Sequence, residues 1–244
     1  MLLSQIRDGE KPGHIAVIVD GNRRWADKRS APHSQGHESG ADKIEELLRW
    51  CLDLGVRTIT IYAFSIENIK RREKQEVEDI LRLFNERLRR IMKDKDIHNE
   101  RVRVRAIGRL YSLPPETQEI VKDVEEATKD YDNHYLNIAV AYGGRAEIID
   151  AMKIIAEEVK EGKLEPEDID EEIVEEHLYT AHLPKSEPDL VIRTSGEERL
   201  SGFLLWQTAY SELCFMDVYW PDFRQIDLLR AIRTFQKRER RFGA

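Results

Sequence analysis

The sequence predicts an α/β fold: a single domain with a mostly parallel sheet of about six strands, covered by helices on both faces. Short apolar runs alternate with longer amphipathic stretches along the 244 residues. The short runs are apolar on both faces, as the strands of a covered parallel sheet are. No linker or internal repeat divides the chain, so residues 1–244 are predicted to form one domain.

The strands are predicted from short apolar runs between polar or glycine-containing segments. The first is residues 14–20, with the sequence HIAVIVD. The others are residues 57–64, 101–107, 135–141, 189–193 and 213–218.

The helices are predicted from apolar residues at helical spacing, which Val77, Ile80 and Phe84 illustrate. The predicted helices are residues 39–54, 73–93, 115–129, 145–160 and 225–236. The segment 160–170 is charged and is predicted to be a surface connection.

The composition excludes some functions. A net charge of −8 argues against general binding to nucleic acid, although a local group of arginines can still bind phosphate. Cys51 and Cys214 lie in apolar runs and are predicted to be free thiols. The N-terminus lacks a signal-peptide pattern, and no apolar run approaches the roughly 18 residues of a membrane span. A cytoplasmic protein is predicted, with peripheral membrane contact left open.

Three predicted strands are followed by loops that suit oxyanions. These loops are Asp20–Trp25, Ser65–Arg72 and Arg193–Ser201, and each combines arginine with hydroxyl, amide or glycine residues. Guanidinium groups make paired bonds to phosphate, and backbone amides at helix starts add more. Ligands of open α/β sheets bind at the carboxyl ends of the strands. The three loops therefore predict a doubly phosphorylated ligand, or two such ligands.

The usual nucleotide and zinc motifs are missing from the sequence. There is no GxxxxGK[ST], GxGxxG or HExxH, and the aspartate-rich DDxxD is also absent. Asp20 follows the first predicted strand, where an aspartate can cap the next helix or hold Mg²⁺ against a diphosphate. Spacing alone leaves both interpretations open.

The loop sequences belong to a series of motifs that resembles a known family. His14–Ala26 resembles the opening signature of undecaprenyl diphosphate synthase and related cis-prenyltransferases. The later motifs follow in the family's order at Gly36–Gly40, Tyr62–Asn68, Asn137–Arg145, Asp189–Ser201 and Phe203–Pro221, and the chain closes on Arg240–Gly243. The resemblance implies condensation of isopentenyl diphosphate with an allylic prenyl diphosphate, giving a longer cis-polyprenyl diphosphate.

The resemblance also implies residue roles. Asp20 would bind Mg²⁺ and assist departure of the allylic diphosphate, Asn68 would be the proton acceptor, and Glu212 would complete the Mg²⁺ site of isopentenyl diphosphate. The allylic substrate would contact Gly21, Asn22, Arg23, Arg24, Trp25, His37, Ser65 and Arg71. Isopentenyl diphosphate would contact Arg193, Arg199 and Ser201. The implied substrate-binding set is completed by His33, Ile66, Glu67, Ile69 and Leu200.

Four positions depart from the family pattern. His33 replaces a usual arginine, which predicts a weaker diphosphate contact with a pH-dependent KM. Ser30 replaces a glycine, Ile69 a tryptophan, and Glu198 a histidine metal ligand of some bacterial relatives.

The resemblance implies a homodimer in which the Arg-Phe-Gly tail reaches the partner's active site. Two alternatives stay open: prenyl transfer to an acceptor other than isopentenyl diphosphate, and a non-catalytic partner subunit. Helices 39–54 and 73–93 are candidates to line a hydrocarbon channel, but an ordinary core has the same pattern. The sequence does not determine the product's chain length.

Overall fold

In the computed structural model, which describes Ile6 and residues 9–237, six parallel strands form one sheet. The strands are β1 (His14–Ile18), β2 (Thr58–Ser65), β3 (Val102–Ile107), β4 (His134–Tyr142), β5 (Leu190–Arg193) and β6 (Glu212–Phe215). Their order across the sheet is β3-β4-β2-β1-β5-β6. The predicted fold class and strand number are confirmed.

Nine α-helices lie within residues 9–237. They are α1 (Asn22–Lys28), α2 (His33–Leu54), α3 (Ile66–Arg71), α4 (Lys74–Ile91), α5 (Lys95–Asn99), α6 (Pro115–Thr128), α7 (Gly144–Lys160), α8 (Glu171–His177) and α9 (Gln225–Lys237). The sequence did not predict α1, α3, α5 and α8. Each has five to seven residues, which is too short for helical periodicity to show.

The two faces of the sheet pack into separate apolar clusters. On β1, Ile15 and Val17 join the larger cluster, whereas Ala16 and Ile18 join the smaller one. This alternation is the period of two that a strand imposes on its side chains. Because both faces are covered, β1 is buried over its whole length.

The sheet topology creates a crevice beside β1. Its neighbours are β2 on one side and β5 on the other, so the chain leaves β1 in one direction and later returns on the opposite side. Such a switch point is where open α/β sheets bind ligands. The loops after β1, β2 and β5 therefore meet at one edge.

Two further observations bear on the predictions. Within the described residues, Cys51 and Cys214 form no disulfide, as predicted. Among the described residues, no helix is both long enough and apolar enough to cross a membrane. The closing segment Arg240–Gly243, with its implied role in a partner's active site, lies outside the described residues.

Candidate active site

A polar cleft of about 630 Å³ opens at the carboxyl ends of β1, β2 and β5. Most of the sequence-predicted site residues line this polar cleft. They are Asp20, Gly21, Asn22, Arg23, Arg24, His37, Ser65, Glu67, Asn68, Arg71, Arg193, Arg199 and Ser201. The three loops predicted to bind oxyanions thus converge on one cavity.

Asp20 is the carboxylate between two arginines of the polar cleft. Its Oδ2 accepts a hydrogen bond from Nη2 of Arg193 at 2.8 Å, and its Oδ1 lies 3.3 Å from Nη2 of Arg24. Burial opposes ionisation, but the hydrogen bond and charge of Arg193 and the charge of Arg24 hold the pKa of Asp20 below its ordinary value. Asp20 is therefore an anion at neutral pH.

Asp20 does not cap the following helix. The N-cap of α1 is Gly21, and no side chain caps that end. Gly21 has a φ of 106°, and a Cβ there would lie 2.9 Å from Cδ1 of Tyr219, so this turn requires glycine. The backbone N–H of Asp20 donates to Oγ1 of Thr194 at 3.1 Å. The backbone thus directs the carboxylate of Asp20 into the polar cleft, and the capping interpretation is wrong.

Arg193 organises the loop that follows β5. Its side chain is 4% exposed, and Nη1 donates to the carbonyl oxygen of Arg199 and, at 2.7 Å, to Oγ of Ser201. Nε is buried without a hydrogen-bond partner. A buried guanidinium with an unused donor is a site prepared for a further acceptor, because leaving such a group unpaired costs free energy.

The same loop folds back over α1. Ser195 adopts a φ of 79° and Ser201 one of 51°, both in the left-handed region. Arg24 fastens the loop by donating to Oγ of Ser195 at 2.6 Å and to Oε1 of Glu197 at 3.0 Å. The loops after β1 and β5 therefore hold each other in place.

The loop after β2 contributes Ser65 and Asn68. Oγ of Ser65 accepts from the backbone N–H of Asn68 at 3.0 Å and caps α3. This cap is a local signal that the sequence carries in the order Ser-Ile-Glu-Asn. It fixes the start of α3 beside the polar cleft, where Asn68 and Glu67 line the wall.

A carboxylate that the sequence did not predict contacts three side chains that line the polar cleft. Oε1 of Glu76 is 3.0 Å from Nη1 of Arg72, 3.1 Å from Nε2 of His37 and 3.7 Å from Nε of Arg23. We call these four residues the Glu76 cluster. Burial lowers the pKa of His37, against the opposing influence of Glu76. The sequence signal was weak, because Arg72 belongs to a charged run that resembles a solvated surface.

An apolar tunnel leads away from the polar cleft between α2 and α4. It has a volume of about 240 Å³, and its walls include Ala41, Ile44, Leu48, Phe84 and Leu88. The tunnel and the polar cleft share lining residues. These are Val19, Asn22, His37, Ala63 and Ile80. The sequence left open whether these two helices line a channel or pack in an ordinary core. They line this tunnel and also pack in the core, since Leu88 belongs to the larger apolar cluster as well.

Five predicted substrate-binding residues do not line the polar cleft. Trp25 faces outward, where its Nε1 donates to Asp222 at 2.8 Å, and His33 pairs with Asp27, also at 2.8 Å. Leu200 packs against the smaller apolar cluster and Ile69 against the larger. Ile66 lies close to Gly143. Direct substrate contacts of these five residues stay predictions.

Glu212 lies at the other end of the sheet from Asp20. In the register of β5 and β6, Arg193 lies beside Phe215. Glu212 precedes Phe215 by three residues on β6, so it lies about 10 Å from Phe215 along the strand. The fold of one chain therefore does not bring Glu212 to Asp20. Among the described residues, no group of three or more acidic, histidine or cysteine side chains forms a ready metal site.

The side chains of the polar cleft suit Mg²⁺ only when the ion is bound to a diphosphate. Mg²⁺ is commonly held by one or two carboxylates together with phosphate oxygens and water. Asp20 supplies one carboxylate, and its side chain is 29% exposed. The neighbouring Arg24 and Arg193 repel a bare cation but attract a diphosphate. The residues therefore fit a Mg²⁺–diphosphate complex.

Comparison with known proteins decides the family. The profile of the Prenyltransf family, described as undecaprenyl diphosphate synthase, matches residues 18–243. The chain belongs to the undecaprenyl diphosphate synthase family. It is therefore a prenyltransferase, and the predicted resemblance is confirmed.

Curated relatives of this prenyltransferase are similar over most of their length. The Methanocaldococcus jannaschii tritrans,polycis-undecaprenyl-diphosphate synthase (geranylgeranyl-diphosphate specific) is 55% identical over 95% of this chain and 82% of its own. The Pyrococcus abyssi protein of the same name is 53% identical over 99% of this chain and 90% of its own.

Solved structures share the fold of this prenyltransferase. Lavandulyl diphosphate synthase from Lavandula x intermedia, in complex with dimethylallyl diphosphate, superposes with a TM-score of 0.92 at 36% identity, covering 96% of this chain and 99% of that one. A probable undecaprenyl diphosphate synthase from Campylobacter jejuni gives 0.77 at 34% identity, covering 96% of this chain and 100% of that one.

Proposed function

We propose that this prenyltransferase condenses isopentenyl diphosphate with an allylic prenyl diphosphate and releases diphosphate, giving a longer cis-polyprenyl diphosphate. We further propose geranylgeranyl diphosphate as the allylic starter. The names of the Methanocaldococcus jannaschii and Pyrococcus abyssi relatives support that starter.

One observation carries the proposal: a cationic polar cleft continues directly into an apolar tunnel. Asn22 and His37 line both cavities, so a ligand at this junction contacts polar and apolar walls together. A diphosphate head and a hydrocarbon tail are the two parts of an allylic substrate. A nucleotide or sugar phosphate would not need the apolar tunnel.

The chemistry follows from where charge develops. Breaking the allylic C–O bond leaves negative charge on the departing diphosphate, which fixed donors such as Arg193 and Arg24 stabilise. Asp20 is the residue that would hold Mg²⁺ against this diphosphate, and the metal would supply further stabilisation of the leaving group. The Asp20 anion also orients Arg193 and Arg24 through its two hydrogen bonds.

The second substrate is assigned to the loop after β5. Arg199, Ser201 and the unused Nε of Arg193 would bind the diphosphate of isopentenyl diphosphate. Its double bond attacks the allylic carbon, a C–C bond forms, and one proton leaves. Asn68 stays our predicted proton acceptor; since an amide oxygen is a weak base, it would pass the proton on to the released diphosphate.

The test uses purified protein with geranylgeranyl diphosphate, isopentenyl diphosphate and Mg²⁺. We expect release of diphosphate and a polyprenyl product whose new double bonds are cis, measured by chromatography and NMR. Chelation of Mg²⁺ should stop turnover. Absence of turnover with every allylic starter tested would reject the proposal and favour the alternative that this chain is a non-catalytic partner subunit.

A second candidate has one observation in its favour. The lavandulyl diphosphate synthase superposes closely on this chain and holds dimethylallyl diphosphate. We therefore keep prenyl transfer to an acceptor other than isopentenyl diphosphate as the second candidate. Products formed from an allylic diphosphate without isopentenyl diphosphate would support it, and strict dependence on isopentenyl diphosphate would reject it.

Assembly and location belong to the same proposal. We propose a homodimer in the cytoplasm, with peripheral membrane contact where the apolar product leaves. Light scattering of the full chain tests the dimer. Flotation with lipid vesicles, with and without product bound, tests the membrane contact.

A further inference from the structure

Arg72 is a shielded guanidinium inside the polar cleft. It follows α3 directly, its side chain is 17% exposed, and it lines the cleft together with Asp20 and Arg193. Its guanidinium carbon lies 5.4 Å from the ring centroid of Phe64. A cation removed from water to this extent requires an anionic partner.

That partner is shared with two other basic side chains, of which Arg23 lies beyond hydrogen-bond distance. Oε1 of Glu76 is the point on which Arg72, His37 and Arg23 converge, at 3.0, 3.1 and 3.7 Å. A phosphoryl oxygen carries the same sign of charge and accepts the same bonds. The Glu76 cluster is therefore arranged as donors around a phosphate are arranged, with a carboxylate oxygen at the centre.

The position of His33 makes the contribution of Arg72 more important. His33 is directed to Asp27, with 2.8 Å between Nε2 and Oδ1, and does not line the polar cleft. The polar cleft therefore lacks the guanidinium group that the family resemblance implies at position 33. Arg72 supplies one from a different element of the chain.

We propose that Arg72 binds the diphosphate of the allylic starter, and that Glu76 holds the donors until a phosphoryl oxygen takes the place of its carboxylate. The inference rests on the proposed function for the identity of the ligand. It adds a substrate-binding residue that the motifs did not indicate, and it gives Glu76 the role of an internal stand-in for phosphate.

The first experiment compares Arg72→Gln with Arg82→Gln. Arg82 lies on α4, is 60% exposed and pairs only weakly, at 3.4 and 3.5 Å, with Glu86 and Asp79. We expect Arg72→Gln to raise the starter KM about 10- to 100-fold, as loss of a charge-assisted bond does, while the KM for isopentenyl diphosphate stays unchanged. Arg72→Lys should give an intermediate KM, because lysine keeps the charge without the fork. Arg82→Gln should leave both KM values unchanged.

The second experiment separates binding from a structural ion pair. If Arg72 and Glu76 only pinned α3 and α4 together, Arg72→Gln and Glu76→Gln would raise the starter KM alike and lower the Tm alike. Our inference predicts opposite signs, because Glu76→Gln removes the carboxylate that competes with the diphosphate. The starter KM should fall in Glu76→Gln and rise in Arg72→Gln.

Binding is also measured directly, by calorimetry of inorganic diphosphate with the full chain. The Kd should rise about 10-fold in Arg72→Gln and fall in Glu76→Gln. Equal Kd and KM values for Arg72→Gln and the wild type would overturn the inference even if the enzyme is active. Conversely, a wild type without turnover that binds diphosphate through Arg72 would overturn the proposed function and leave the inference standing.

Discussion

The polar cleft and the apolar tunnel adjoin each other but are built in different ways. The cleft depends on loops at strand ends, on the left-handed residues Gly21 and Ser195, and on individual hydrogen bonds to Asp20. The tunnel depends on the spacing of α2 and α4 and on many weak apolar contacts. Individual hydrogen bonds therefore determine the chemistry of the cleft, whereas the available volume determines what the tunnel can hold.

The largest effect on activity is expected for a substitution of Asp20 in the polar cleft. Asp20→Ala removes the cleft's central anion, the predicted Mg²⁺ ligand and the partner of Arg193. We expect kcat to fall about 10²- to 10³-fold, the usual loss when one fixed electrostatic contact is removed. Steady-state kinetics measures this, with the exposed Asp123→Ala as control. Turnover near that of the wild type would discredit the metal role of Asp20.

The tunnel is tested by filling it. Ala41 lines the apolar tunnel, and Ala41→Phe adds a ring to a cavity of about 240 Å³. A cavity of about 150 Å³ is filled by benzene, so a ring takes up much of this space. We expect shorter products, measured by chromatography, with the KM for isopentenyl diphosphate unchanged. Products of unaltered length would show that the growing chain does not use this tunnel.

As the pH falls, the folded state should lose stability while Asp20 in the polar cleft is still ionised. Burial lowers the pKa of His14 to about 4, although Asp189 opposes the shift, while an unfolded histidine titrates near 6.5. The unfolded state therefore binds more protons between these values, and stability is lost as pH falls through this window. We expect the free energy of unfolding to drop by about 2 kcal/mol from this group between pH 7 and pH 5.

The free energy of unfolding from denaturant titrations at the two pH values measures this change. His14→Gln keeps a donor towards Thr60 and should flatten the dependence. An equally steep dependence in His14→Gln would assign the loss to other groups. Asp20, with its lowered pKa, should remain ionised throughout.

The smallest effect is expected at the ion pairs that join the tunnel walls. Arg87 on α4 lies 2.5 Å from Glu45 and 2.6 Å from Asp42 on α2. Both acidic side chains are exposed, so Arg87→Gln should cost about 1 kcal/mol or less, or roughly 2–4 °C in Tm. Differential scanning calorimetry of Arg87→Gln beside Arg82→Gln measures it. A Tm drop no larger than that of Arg82→Gln would mean that apolar packing alone holds the walls.

The sequence predicted the sheet and the core of the polar cleft because both follow from local order. A strand, then a polar loop, places Asp20 and Arg193 at the same edge of a parallel sheet. The order of residues in a motif does not show which way each side chain points. Trp25 belongs to the same motif as Arg24, but one further residue along α1 turns its side chain outward to Asp222.

Two other features needed coordinates. Glu212 is separated from Asp20 by the register of β5 and β6, which a motif does not encode. The Glu76 cluster joins residues far apart in sequence, since His37 and Arg72 are 35 residues apart. Nothing in the run around Arg72 distinguishes a shielded cation from a solvated one.

Each wall helix of the tunnel also carries a residue of the proposed phosphate-binding site. His37 and Leu48 lie on α2, and Glu76 and Phe84 lie on α4. By the benzene measure, 240 Å³ holds roughly ten carbons, about half of a geranylgeranyl tail. A product that stayed in the tunnel as it lengthened would have to spread the two helices, and rigid helices would transmit that displacement to the head group. Chain growth and release of the head group would then be mechanically linked, so that the product itself loosens the site that made it.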